Sequence, residues 1–169
     1  DDVHVAEQAK RTKAHLFPYG KTHGNTQAKV ILESVEEQLQ YPPVTRLAIK
    51  TPSREIKVTV PVVGTAHESA ILTSVAVAEA MELETDLILE GLSHYKAMPG
   101  RSNIVAGIKR SILIDDTYNA APLSMIEALH LLSRFPQENK VGVLGDMLEL
   151  GDETDSSHEE VGKLVQSLN

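Results

Sequence analysis

Residues 111–122 constrain the fold of this chain more than any other stretch. Ile112-Leu113-Ile114 is an unbroken apolar run of strand length, followed directly by Asp115-Asp116-Thr117-Tyr118-Asn119. Pro122 then stands where a helix should open, because its fixed φ suits the first turn and its missing N–H is not needed there. A strand that hands over to a helix through a polar loop is the unit of α/β folds, in which ligands bind beyond the carboxyl ends of the strands. The pattern recurs downstream. Residues 140–144 read as a buried strand closed by Gly145-Asp146, and residues 154–168 as a helix capped by Thr154 or Asp155. Strand, helix, strand, helix begins a doubly wound parallel sheet, and two parallel strands are too few to complete one. The expectation is therefore of an unfinished α/β unit, with Asp115, Asp116 and Asp146 on one edge of its sheet.

The first half of the chain has a different texture. Residues 3–13 suit a short helix, residues 15–20 a strand ending in a turn, and residues 21–26 a polar loop containing Gly24 and Asn25. Residues 28–38 fit neither period cleanly and are read as strand. Residues 46–50 and 55–60 flank a Thr51-Pro52-Ser53 turn, and the second run alternates Ile56, Val58 and Val60 with Glu55, Lys57 and Thr59, which predicts a β-hairpin. Residues 67–81, rich in Ala, Ser and Val, predict a closely packed helix, and Thr85 is placed as N-cap of a second. Met98-Pro99-Gly100-Arg101 breaks that helix and marks the boundary between residues 1–98 and 99–169. Residues 104–108 and 111–114 then read as paired strands around Lys109-Arg110, and Pro122 opens a helix that reaches Arg134.

Composition narrows the function classes. The net charge of −8 over 169 residues argues against a nucleic-acid grip, which needs clustered Lys and Arg to release counterions. With no cysteine there is no disulfide, thiolate or Cys-zinc chemistry. No apolar run reaches membrane-spanning length. There is no Walker-type loop of the form G-x-x-x-x-G-K-[ST] and no arguable Ser-His-Asp set.

The residue types at the first strand end suit several ligands. Carboxylates can hold ribose hydroxyls, an ammonium group or Mg²⁺, while Tyr118 and Asn119 suit peptide-like groups. The competing reading is turn chemistry, since Asp, Thr and Asn cap helices and satisfy loops. Arg101 could meet a phosphate bidentately or be a surface charge. His67 could touch a base or phosphate, or simply pack at a helix start. His158 reads as structural or exposed.

Taken in order, these segments resemble the MurF-type Mur ligases. The matching stretches are Ile114 through Pro122 with Ser124-Met125, Val143 through Gly151, and His158-Glu159-Glu160-Val161-Gly162, preceded by Gly91-Leu92 and Pro99-Gly100-Arg101. The resemblance implies the C-terminal part of the Mur ligase central domain (residues 1–98) followed by the beginning of the Rossmann-like C-terminal domain (residues 99–169). It implies an ATP- and Mg²⁺-dependent ligase that activates UDP-N-acetylmuramoyl-tripeptide as an acyl phosphate and joins it to D-alanyl-D-alanine. The enzyme would be cytoplasmic and monomeric, without nucleic-acid or membrane partners. Its phosphate loop, catalytic Lys and metal-binding Glu would lie upstream, so these residues alone would not ligate.

By the same similarity, Arg101 would contact the ATP phosphates and Asp116 the ribose or phosphate region. Tyr118 and Asn119 would face the dipeptide, with Asp116 and Asn119 nearest the chemistry. His67 is the candidate for the adenine side. Two departures stand out. Ala66-His67-Glu68-Ser69-Ala70 replaces the family's H-N-x-x-N, and Ala121 replaces the last Asn of Y-N-A-N-P. Alternatives are another Mur ligase or folylpolyglutamate-synthase-like ligase, a non-catalytic scaffold derived from one, or a non-catalytic module whose Asp115, Asp116 and Asp146 form an acidic, Mg²⁺-binding pocket.

Overall fold

The structure, a computed structural model, describes residues 3–21 and 28–168. Apart from Lys21, the polar loop expected at residues 21–26 lies outside the described residues. A short helix, α1 (Val3–Ala9), begins the chain. The turn at residues 51–53 and the alternation of residues 55–60 translate into a hairpin: β3 (Val44–Lys50) and β4 (Glu55–Val60) pair antiparallel, with Leu47 opposite Val58 and Ile49 opposite Ile56. Leu47, Ile49, Ile56 and Val60 are buried while Arg46, Lys50, Glu55 and Lys57 remain exposed, so each strand buries one face. Each such side chain contributes about 1.5–3 kcal/mol by leaving water.

β1 (Tyr19–Lys21) and β2 (Val30–Gln38) complete a sheet of order β1-β2-β3-β4, with β1 parallel to β2. Residues 28–38 are thus strand as expected, whereas the strand expected at 15–20 begins only at Tyr19. Pro18 explains the late start. It has no N–H for a ladder, and its carbonyl instead accepts from Lys29 and Val30 N–H.

Helices α2 (Thr65–Ala80) and α3 (Thr85–Ser93) follow. Thr85 is not the N-cap. Glu84 occupies that position without a side-chain bond, and the Thr85 hydroxyl accepts from Arg54 Nη1 at 2.9 Å. The same Arg54 nitrogen donates to the Leu83 carbonyl, and Arg54 Nε lies 3.2 Å from the buried carboxylate of Glu79. One guanidinium thereby ties the hairpin turn to the α2–α3 connection. α3 ends at Ser93, earlier than the break expected at residues 98–101, and His94 N–H closes its last turn on Glu90 and Gly91.

The chain divides into two compact units. One holds Asp1–Glu37, Val44–Pro61 and Glu68–Tyr95; the other holds Gln38–Pro43, Val62–His67 and Lys96–Asn169. In the second, β5 (Asn103–Ala106) and β6 (Ile112–Asp115) pair antiparallel around a tight 3-10 turn at Ile108–Arg110, as the sequence suggests. α4 (Pro122–Arg134) starts at the expected proline. Ala121, in the N-cap position, offers no side-chain acceptor. Ser124 compensates: its Oγ accepts from Ala121 N–H and donates to the Ala121 carbonyl.

Val63, Leu131 and Phe135 form one core cluster, with Leu39, Ile104, Ile112 and Ile114 packed against it. A second cluster, Met125, Leu129, Met147 and Val161, joins α4 to α5 (Thr154–Ser167).

Residues 140–144 depart from expectation. They form no strand, and Val141 and Val143 are 81% and 93% exposed. An apolar run becomes a strand only where a neighbour satisfies its N–H and C=O groups, and among the described residues none pairs with it. The parallel sheet is therefore not begun here, although the mixed α/β character stands. Asp146 lies in an exposed loop rather than at a strand end, so it does not share a sheet edge with Asp115 and Asp116.

That loop is anchored from within by Met147, which is buried, and by His158. Met147 N–H donates to His158 Nε2 at 3.2 Å, and His158 Nδ1–H donates to the Thr154 carbonyl at 2.7 Å. α5 itself is capped by neither Thr154 nor Asp155. Glu153 takes the capping position at the end of a 3-10 turn, and the Thr154 hydroxyl donates back to Gly151.

Candidate functional site

Five of the residues singled out in the sequence, Arg101, Asp115, Asp116, Tyr118 and Asn119, lie on two segments that are bonded to each other. The first is the turn at residues 98–102, closed by Arg101 N–H on the Met98 carbonyl at 3.0 Å. The second is the loop that leaves β6. Gly100 N–H donates to Asp115 Oδ2 at 2.9 Å, Ser102 N–H donates to Asp116 Oδ1 at 2.8 Å, and Tyr118 N–H donates to the Gly100 carbonyl at 3.1 Å. Both aspartates thus serve as acceptors for the backbone of a turn far away in sequence. Charge-assisted bonds of this kind are stronger than neutral ones.

Gly100 makes the close approach possible. Its φ is +74°, and a Cβ there would lie 2.9 Å from Tyr118 N and 3.1 Å from Tyr118 Cβ.

The two carboxylates differ. Asp115 Oδ1 accepts from the Thr117 hydroxyl at 2.7 Å and from Thr117 N–H at 3.4 Å. The Thr117 hydroxyl, and after it Gly100 N–H, hold the Asp115 carboxyl below its ordinary range. Asp116 places only one oxygen in the protein's bonds, accepting also from the Ser102 hydroxyl at 3.3 Å; its Oδ2 has no hydrogen-bond partner among the described residues.

Arg101 is exposed, and its guanidinium carbon lies over the Tyr118 ring, 4.0 Å from the centroid. Among the described residues no carboxylate forms an ion pair with it. Tyr118 is 70% exposed, and Asn119 is exposed beside it, ahead of α4.

His67 is buried, at 6% exposure, and its Nε2–H donates to the Ser102 carbonyl at 3.4 Å. Burial pushes its pKa down, against smaller opposing effects from the Ser102 carbonyl and the Asp116 charge. At neutral pH the ring is therefore uncharged and supports the turn that carries Arg101.

Ser102 escaped the sequence reading. Its backbone and hydroxyl meet Asp116 while its carbonyl meets His67, contacts that leave no local signature. Among the described residues no group of three potential ligands could hold a metal ion, so Asp115, Asp116 and Asp146 do not assemble the Mg²⁺ pocket of the acidic-module alternative. No helix among the described residues is long and apolar enough to cross a membrane.

The family described as "Mur ligase, glutamate ligase domain" matches residues 100–168, which contain the whole loop and turn apart from the first residues of the turn. The UDP-N-acetylmuramoyl-tripeptide--D-alanyl-D-alanine ligase of Escherichia coli is 32% identical over 123 residues, 73% of this chain and 27% of the relative. The ligase of the same name from Treponema pallidum is 37% identical over 99 residues, 59% of this chain and 21% of the relative. A crystal structure of MurF from Acinetobacter baumannii superposes with a TM-score of 0.79 at 29% identity, covering 97% of this chain and 34% of that one. The chain spans about a fifth to a third of the length of these relatives. With this domain match and these similarities in sequence and structure, the chain belongs to the Mur ligase family, and the relatives it matches are of the MurF type.

Proposed function

We propose that this chain forms the part of a ligase that brings ATP and D-alanyl-D-alanine together for addition to UDP-N-acetylmuramoyl-tripeptide. Residues 1–98 would be the end of the central domain and residues 99–169 the start of the C-terminal domain. The observation that carries the reading is the division of roles within the Asp116 carboxylate. Oδ1 is fixed by Ser102, while Oδ2 is left for a ligand donor such as a ribose hydroxyl.

Arg101 would hold nucleotide phosphates through its uncommitted N–H groups. Tyr118 and Asn119, exposed on the same loop, would face the dipeptide, with Asn119 and Asp116 nearest the reacting groups. His67 would serve the nucleotide side by supporting Ser102. ATP would supply the phosphoryl group that activates the tripeptide carboxylate. None of the described residues is assigned to Mg²⁺, because no three-ligand cluster forms among them. The contribution of these side chains is positioning and electrostatic complementarity, the main sources of rate in acyl and phosphoryl transfer. Such an enzyme would work in the cytoplasm, where ATP and nucleotide-linked precursors are available.

Formation of the UDP-N-acetylmuramoyl-pentapeptide by the complete ligase carrying these residues tests the reading. Asp116→Ala is expected to lower turnover by about 100-fold, the order of loss when reacting groups are misplaced. Unchanged turnover would remove Asp116 from the site.

A further inference from the structure

We infer that Tyr118 is a positioning residue for Arg101, whose ring presents the guanidinium, with its N–H groups open, to a polyphosphate anion. The inference rests on the proposed phosphate contact of Arg101 and assigns the tyrosine a role on the nucleotide side of the reaction. An exposed arginine flanked by two aspartates would ordinarily pair with one of them. Here Asp115 accepts from Gly100 and Thr117, and Asp116 accepts from Ser102. Neither forms an ion pair with Arg101. The guanidinium lies over the Tyr118 face at 4.0 Å instead.

A ring face attracts the cation without accepting a strong N–H···O bond, so the donors of the fork stay available for bidentate contact with phosphate oxygens. The backbone reinforces the arrangement. Tyr118 N–H is bonded to the Gly100 carbonyl, so the residue carrying the ring is joined to the one preceding the arginine. The same contact occupies one ring face, leaving the phenol hydroxyl and the other face for a second ligand.

The test uses the 169-residue chain, inorganic triphosphate as probe, and NMR of the arginine Nε–Hε groups. In the wild type, the Arg101 Hε signal should be shifted upfield by the ring and should move on addition of triphosphate. Tyr118→Leu should abolish the upfield shift and weaken triphosphate binding at Arg101 about two- to fivefold, the scale of an exposed cation–π contact. Tyr118→Phe should restore both, which a general structural effect of the substitution would not require. A wild-type response to triphosphate that Tyr118→Leu leaves unchanged, or the absence of an upfield shift, would overturn the positioning role alone. No response of Arg101 to triphosphate in the wild type would refute the phosphate contact and the positioning role with it.

Discussion

Replacing Gly100 by alanine probes the join between the turn and the loop at its tightest point. With φ at +74°, an L-residue there costs about 1–2 kcal/mol. The new Cβ would also press on Tyr118 N at 2.9 Å and Tyr118 Cβ at 3.1 Å. Backbone cannot swing aside as a flexible side chain can, so relief would stretch the bond from Tyr118 N–H to the Gly100 carbonyl, worth about 1 kcal/mol. Against these stands a gain of about 0.4–1 kcal/mol from the stiffer unfolded chain. The net expectation is a loss of about 2 kcal/mol, measured as a lower urea midpoint with unchanged slope. Gly91 and Gly162 provide the internal control, since both lie inside helices and a Cβ at either would meet nothing within 4 Å. Alanine at those positions should stabilise by about 0.5–1 kcal/mol. A Gly100→Ala variant as stable as the wild type would refute the claim that the turn and loop are held in van der Waals contact.

Met147→Ala should cost about 2–5 kcal/mol in urea unfolding, because Met147 is 2% exposed within the α4–α5 cluster. The amide signals of residues 145–150 should show the largest changes. His67 has its folded pKa below the ordinary 6.5, so its contribution to stability is present above pH 6.5 and is lost as pH falls through the folded value. A series of unfolding curves should show this decline, and His67→Gln should flatten it. Asp115, also lowered, contributes stability above its ordinary 3.8 that is lost as pH falls further. Carbon-detected titration should find its midpoint below that of a free aspartate, and Thr117→Val should move it back up.

Local signals made much of the fold legible. The hairpin of β3 and β4 follows from the Thr51-Pro52-Ser53 turn and the alternation of residues 55–60, and α4 begins at the proline whose chemistry favours a first helical turn. Legibility failed where a partner distant in sequence decides the outcome. Residues 140–144 have a strand's composition but no neighbour to pair with among the described residues. Thr85 and Thr154 have the chemistry of caps, yet each lies one position inside its helix, with its hydroxyl bonded elsewhere. At the site, the types of residue were readable but their roles were not. Asp115 and Asp116 look like ligand carboxylates, and both also hold the backbone of residues 100–102, which leaves only part of Asp116 for a ligand. His67 looks like a nucleotide contact, and its burial and its bond to the Ser102 carbonyl could not be read from local sequence.

The role proposed for these residues is in a dipeptide-adding ligase. Its most direct test is phosphate release from ATP by the complete enzyme, with each acceptor supplied or withheld. Release is expected only when UDP-N-acetylmuramoyl-tripeptide and D-alanyl-D-alanine are both present. Release supported equally by a single amino acid in place of the dipeptide would contradict it.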